Sequence, residues 1–84
     1  MMNEEEKRKN YVREIASVVK IYKEGDLISI HRRDLFTAII GQYINYELNN
    51  INVEGNLVYL DENGTNQIIS LELIESVKRA NRLQ

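Results

Sequence analysis

The chain has no cysteine and a single histidine, His31. Without thiols, neither a disulfide framework nor a thiolate zinc site can reinforce it, and one imidazole does not furnish an all-protein transition-metal site. No metal and no cofactor is expected. No apolar run approaches the length needed to cross a bilayer, and the opening MMNEEEKRKN is charged where a secretory signal would carry an apolar core. The expectation is a cytoplasmic protein without membrane contact. Nucleophile elbow, Walker loop, dinucleotide glycine pattern and metal-ligand spacing are all missing, and the four glycines fall at turns or bends. His31 with Asp34 resembles a general base beside its orienting carboxylate only in spacing, and on a connector such a pair reads as a local surface contact. Catalysis is not expected, and no catalytic residue is assigned.

What is present is 84 residues, 43% of them hydrophobic, enough for one domain with a small core. A core of that size leaves a narrow margin of stability, so a partner, including a second copy, is expected. Thirteen acidic residues outnumber eleven basic ones, whereas a dedicated nucleic-acid binder carries a basic excess. The basic residues are nevertheless clustered: Lys7, Arg8 and Lys9; Arg32 and Arg33; Lys78, Arg79 and Arg82.

Along the chain, Tyr11, Val12, Ile15, Val18, Val19 and Tyr22 recur at three-four spacing, which predicts an amphipathic helix over residues 4–23. Glu4, Glu5 and Glu6 at its start and Lys20 and Lys23 at its end suit the helix dipole, and Gly25 stands where a left-handed cap would close it. Residues 1–25 are thus read as an N-terminal helix. Residues 26–41 are read as a connector, with DLISIHR briefly extended and RRDLFTAIIGQ forming a short helix that ends at Gly41.

Residues 42–78 read as an antiparallel β-meander, and 79–84 as a tail. A two-residue turn at Asn49 and Asn50 would pair Leu48 with Ile51, Tyr46 with Val53 and Ile44 with Gly55, all on one face. Asn63 and Gly64 form the strongest short hairpin signal, which would pair Glu62 with Thr65, Tyr59 with Ile68 and Val58 with Ile69. Between the turns the pattern changes at Gly55 from alternating to continuously apolar. A glycine there suits a strand coiling sharply into a small barrel, where a Cβ would obstruct the facing backbone; it equally suits a bulge in an open meander. The final SLELIESVKRANRLQ has two readings, a helix from Ser70 supported by Glu75 and Arg79, or a tight turn from Leu71 to Ile74 followed by a strand through Ser76 and Val77. The predicted fold class is α+β: an N-terminal amphipathic helix packed on a small, strongly bent antiparallel meander.

Leu35, Ile40, Gly41, the alternating YINYEL, Gly55, Leu57 and Asp61, with the ending IISLELIESV, resemble the short bacterial Sm-like and YolD-like domains over residues 33–78. The resemblance implies an SH3-like partial barrel whose apolar-Ser-Leu-x-x-Ile-x-x-Val end closes the barrel. It also implies RNA binding, but the family's Arg-Gly motif is absent and Asp61, Glu62, Asn63 and Gly64 stand where its RNA-contacting loop would be.

Two functions follow. The first is a non-catalytic binding module that self-associates or takes a protein partner through its sheet edges and N-terminal helix. The alternative is a nucleic-acid-binding regulator, an Sm-like RNA binder or a winged-helix-like DNA binder, with contacts from Arg32, Arg33, Tyr43, Lys78, Arg79 and Arg82. Tyr43 lies on the opposite face from Tyr46 in the predicted register and is the aromatic placed for a surface contact. Against the alternative, no lysine or arginine lies between Gly41 and Gln67, and Glu47, Glu54, Asp61 and Glu62 make a poor phosphate track.

Overall fold

The computed structural model describes residues 2–81. Among these residues the order of elements is α1 (Glu4–Val19), β1 (Leu27–Arg32), β2 (Ile39–Asn49), β3 (Glu54–Leu60), β4 (Asn66–Ser70), a 3₁₀ turn (Leu71–Leu73) and β5 (Ile74–Arg79). The strands form one antiparallel sheet in the order β4-β3-β2-β1-β5, which is not closed. The α+β class is therefore as the pattern predicts, an N-terminal helix on an antiparallel sheet.

Asn3 caps α1, its side-chain oxygen accepting from the Glu6 N–H at 2.8 Å, with three glutamates in the first turn where the helix dipole favours negative charge. Val12, Ile15, Ala16 and Val19 are buried along one stripe against the sheet. The helix ends at Val19, short of residue 23. Gly25 does adopt a left-handed conformation (φ 95°), but in the turn that feeds β1: the Asp26 N–H donates to the Lys23 carbonyl, and the Gly25 N–H already donates to the Tyr43 carbonyl.

The expected connector helix within residues 26–41 is not formed. Leu27–Arg32 and Ile39–Asn49 are paired strands, with Ile30 opposite Ile39 and Ile28 opposite Gly41. The helical spacing of Leu35, Phe36, Ile39 and Ile40 misleads because Leu35 and Phe36 are exposed in the loop and β-branched Ile39 and Ile40 lie in a strand.

Both predicted turns are present as reversals, and both are wider than two residues. At the first, Asn49 pairs with Glu54, Leu48 with Gly55 and Tyr46 with Leu57, in place of Leu48 with Ile51 and Tyr46 with Val53. The Asn49 side chain accepts from the Ile51 N–H, and Val53 turns inward, 1% exposed with φ 52°. That left-handed geometry is unfavourable for a β-branched residue, and it is held from outside. Arg8 of α1 donates to the carbonyls of Val53 (3.0 Å) and Asn52 (2.9 Å) while its guanidinium grips Glu5.

At the second, Leu60 pairs with Asn66, Tyr59 with Gln67 and Val58 with Ile68. The Gly64 N–H donates to the Asp61 carbonyl, the Asp61 N–H to the Thr65 carbonyl, and Gly64 has φ 77°: a type I turn followed by a one-residue bulge. The slip of one residue relative to a two-residue turn exchanges the faces of β4. Ile69 is buried opposite Leu57, and Ile68 is left 66% exposed.

Of the features expected at Gly55, the close approach of the facing backbone is present. A Cβ there would lie 2.4 Å from the Glu47 carbonyl oxygen and 2.7 Å from Leu71 Cδ1. The strand after it remains alternating, with Leu57 and Tyr59 buried and Val58 and Leu60 half-buried. The chain end takes the second of its two readings: Ser70 accepts from the Glu72 N–H, Leu71 is buried beneath α1, and β5 runs back along β1 with Ile30 opposite Val77. Tyr11 and Tyr22 tie α1 and the following turn to β5 through hydroxyls that donate to the Ile74 and Val77 carbonyls.

Candidate functional site

The predicted nucleic-acid residues do not converge. Arg32 is half-buried and forms a two-pronged pair with Asp34 at 2.9 and 2.8 Å; that hydrogen bonding lowers the pKa of Asp34 and raises that of Arg32. Arg33 lies over the Tyr11 ring, 4.9 Å from its centroid, and reaches the Glu72 carbonyl at 3.3 Å. Arg79 sits 3.4 Å from Asp26 and over the Tyr22 ring. Lys78 is exposed on β5 opposite Ser29. Arg82 lies outside the described residues. Arg79 pairs with Ile28, four residues along β1 from Arg32, a separation of about 13 Å at strand rise. The cations stand at opposite ends of the β1–β5 ladder, three of the four described ones already matched by a carboxylate, a carbonyl or a ring.

Tyr43 is not at the surface. It is 4% exposed, its ring 5.9 Å from that of Tyr22, and burial raises its pKa. The cause is a bulge in β2: Tyr43 pairs with Tyr59 and Asn45 with Val58, so Ile44 is an extra residue and the alternation skips a step. Tyr43 and Tyr46 consequently both face the core, although an offset of three residues puts them on opposite faces of a regular strand. Tyr59 is buried as well. Tyr43, expected at the surface, therefore serves packing, as do Tyr46 and Tyr59.

His31 and Asp34 are not brought together either. His31 Nε2 lies 3.4 Å from Glu75 across the β1–β5 ladder, and Asp34 is taken by Arg32. An open cleft of about 660 Å³ between the start of α1 and the β2–β3 hairpin is lined by Arg8 and by Glu47, Glu54 and Glu72. Its one cation is committed to the carbonyls of Val53 and Asn52. Among the described residues no group of three His, Asp or Glu side chains is arranged to hold a metal ion, and no helix is long and apolar enough to cross a membrane.

The surface with an unmet bonding requirement is the sheet border. An open antiparallel sheet presents unpaired N–H and C=O groups along its outer strands, here β4 and β5, although on β5 the Ile74 and Val77 carbonyls already accept from the Tyr11 and Tyr22 hydroxyls. The two borders differ in chemistry. The outer strand β5 carries Glu75, Lys78 and Arg79, charges that oppose docking of another strand. The outer strand β4 reads NQIIS, with no charge and no proline, and its Asn66, Gln67 and Ile68 are all exposed. Sequence reasoning identifies edges in general but not which one, because a two-residue turn at Asn63 and Gly64 would set Ile68 beside Tyr59 on the core face, whereas Ile68 pairs with Val58 on the outer face. The signal was there: an aspartate three residues ahead of the glycine accepts backbone N–H groups and favours the longer turn with a left-handed glycine. The Asp61 carboxylate accepts from the N–H groups of Asn63 and Thr65 and from the Gln67 amide.

No family model, curated protein or solved structure matches the chain.

Proposed function

We propose that this chain is a non-catalytic interaction module that binds a partner by strand addition at the outer edge of β4. The observation that carries this reading is the contrast between the two borders: β4 is uncharged and exposed with Ile68 on its surface, whereas β5 is charged. In strand addition, main-chain hydrogen bonds supply the adhesion and alternate side chains supply selectivity. An edge with Asn66, Gln67 and Ile68 accessible offers both. The Sm-like resemblance belongs to this reading as a proposal, and rests on the motifs of residues 33–78.

Amide hydrogen exchange tests the reading. The outward N–H groups of β4 are expected to exchange fast in dilute protein and to be protected when the partner is bound or the chain self-associates. Association that leaves Asn66 and Ile68 unprotected would place the interface elsewhere and refute the proposal. For the nucleic-acid alternative the corresponding measurement is a salt titration with generic RNA or DNA. The separated and matched cations lead to the expectation of no salt-sensitive binding.

A further inference from the structure

The direction of the backbone groups along β4 can be read from the turn that precedes it. The Asp61 N–H donates to Thr65 and the Asp61 carbonyl accepts from Gly64, so Asp61 directs both groups toward β4. In an antiparallel ladder the direction alternates from residue to residue. Tyr59 therefore bonds Gln67, and Leu57 bonds Ile69. Asn66 and Ile68, opposite Leu60 and Val58, direct their own N–H and C=O away from the sheet. The other side of β3 agrees: the Tyr43 N–H and carbonyl are bonded to Asp26 and Gly25 on the β1 side, so Tyr43 turns its backbone away from its partner Tyr59.

Ile68 thus presents at one point an unpaired donor, an unpaired acceptor and a side chain 66% exposed on the face away from α1. We infer that the occupant of this edge is a second copy of the chain, its β4 antiparallel to the first about a two-fold axis at Ile68. Three conditions select that register. A sheet that continues with both cores on the same side requires paired residues of equal parity. A two-fold pairing in which the central residue meets itself places a hydrogen-bonded pair on the axis where that residue's own N–H and C=O point outward. Ile68 gives such a pair; at Gln67 or Ile69 the axis would fall on a non-hydrogen-bonded pair and set Ile68 against a polar Asn66 or Ser70 of the partner subunit. The third is composition: Ile68 would face Ile68 of the partner subunit, an apolar cross-strand pair, with Asn66 facing Ser70 of the partner subunit and no like charges opposed. Pairing β4 with the β5 of another copy would instead set an uncharged strand against Glu75, Lys78 and Arg79. A five-residue edge buries less than the roughly 1,200 Å² at the lower end of stable interfaces. The dimer is therefore weak and concentration-dependent.

This inference rests on the reading of β4 as the binding edge, and a chain without cysteine makes it directly testable. Single cysteines are introduced as Ile68→Cys, Gln67→Cys and Phe36→Cys, all at exposed positions, with circular dichroism confirming the fold. In the proposed register, opposed residues at the axis have Cα atoms about 5.5 Å apart, within disulfide reach, while Gln67 and its symmetry mate are separated by about 8 Å, beyond it. Under mild oxidation the Ile68→Cys chain is expected to form covalent dimer at least about tenfold faster than the other two, which report random collision. Light scattering of the natural chain is expected to show mass rising with concentration, and Ile68→Lys, which opposes two like charges at the axis, to suppress that rise. Equal cross-linking rates for the three variants, or a one-chain mass at every concentration, would overturn the self-pairing. In that event, protection of Asn66 and Ile68 by an extended peptide or another protein would leave the edge reading standing, and its absence would remove both.

Discussion

Replacing Gly55 with alanine tests the packing at the start of β3, because the perturbation is one methyl group and the obstruction is backbone. The new Cβ would lie 2.4 Å from the Glu47 carbonyl oxygen and 2.7 Å from Leu71 Cδ1, with Leu48 Cδ1 at 3.3 Å. The leucine methyls can rotate aside. The carbonyl cannot, since Glu47 is held in the β2–β3 ladder opposite Asn56, so the strands must separate by about an ångström to reach ordinary contact. Overpacking of this kind costs about 1–3 kcal/mol. Against it stands the loss of glycine's extra freedom in the unfolded chain, which favours alanine by about 0.4–1 kcal/mol. At the midpoints of those two ranges the net destabilisation is about 1.3 kcal/mol. For a domain of this size each kcal/mol shifts Tm by about 4–8 °C, so a drop of roughly 5–10 °C is expected. Urea denaturation should give a lower midpoint with an unchanged m-value, because the surface exposed on unfolding hardly changes. A Gly55→Ala chain within about 0.5 kcal/mol of the natural protein would refute the close-approach argument. Gly64→Ala is the companion case, since nothing lies within 4 Å of its Cβ and any cost comes from φ 77° alone.

Acid sensitivity should depend on Asp61. Hydrogen bonds from the Thr65 N–H and the Gln67 amide, with Asn63 adding to them, hold its carboxyl below the usual aspartate range. A folded-state pKa below the unfolded value means that its contribution is complete above about pH 4 and is lost as pH falls through the lower folded value. Asp61→Asn should flatten the acid limb of a Tm-against-pH curve, and an unaltered limb would count against the turn geometry. Tyr11→Phe removes the hydroxyl that donates to the Ile74 carbonyl and should cost about 1 kcal/mol in urea denaturation, with faster amide exchange in β5; an unchanged midpoint and exchange pattern would mean that the hydroxyl does not tether β5. Phe36→Ser, at a fully exposed loop position, should leave stability within about 0.5 kcal/mol, and a larger change would show that the ring is packed in solution.

The N-terminal helix was legible because Val12, Ile15 and Val19 share one stripe whatever they pack against, although Val18, read into the same stripe, is exposed and Ala16 is buried in its place. The existence of both hairpins was legible for a similar reason, since turn-forming asparagine and glycine act locally. Gly55 could be read as a bend or close approach because a glycine at a change of pattern limits few alternatives. The connector was not legible. Leu35, Phe36, Ile39 and Ile40 satisfy a helical spacing, and only pairing with Leu27–Arg32 makes Ile39 and Ile40 part of a strand.

What the amino-acid order determined by itself was the inventory: one amphipathic helix, two reversals, an uncharged segment NQIIS and a charged segment IESVKR. Which residues face the core was decided by tertiary structure. Each strand's side chains alternate with period two, so single extra residues, Ile44 in the β2 bulge and Gly64 in the turn, exchange faces for everything beyond them. That is why Tyr43 went into the core and Ile68 came out of it. Such insertions are selected by burial across the whole sheet and by distant clamps such as Arg8 on Val53, 45 residues apart, which no local pattern contains.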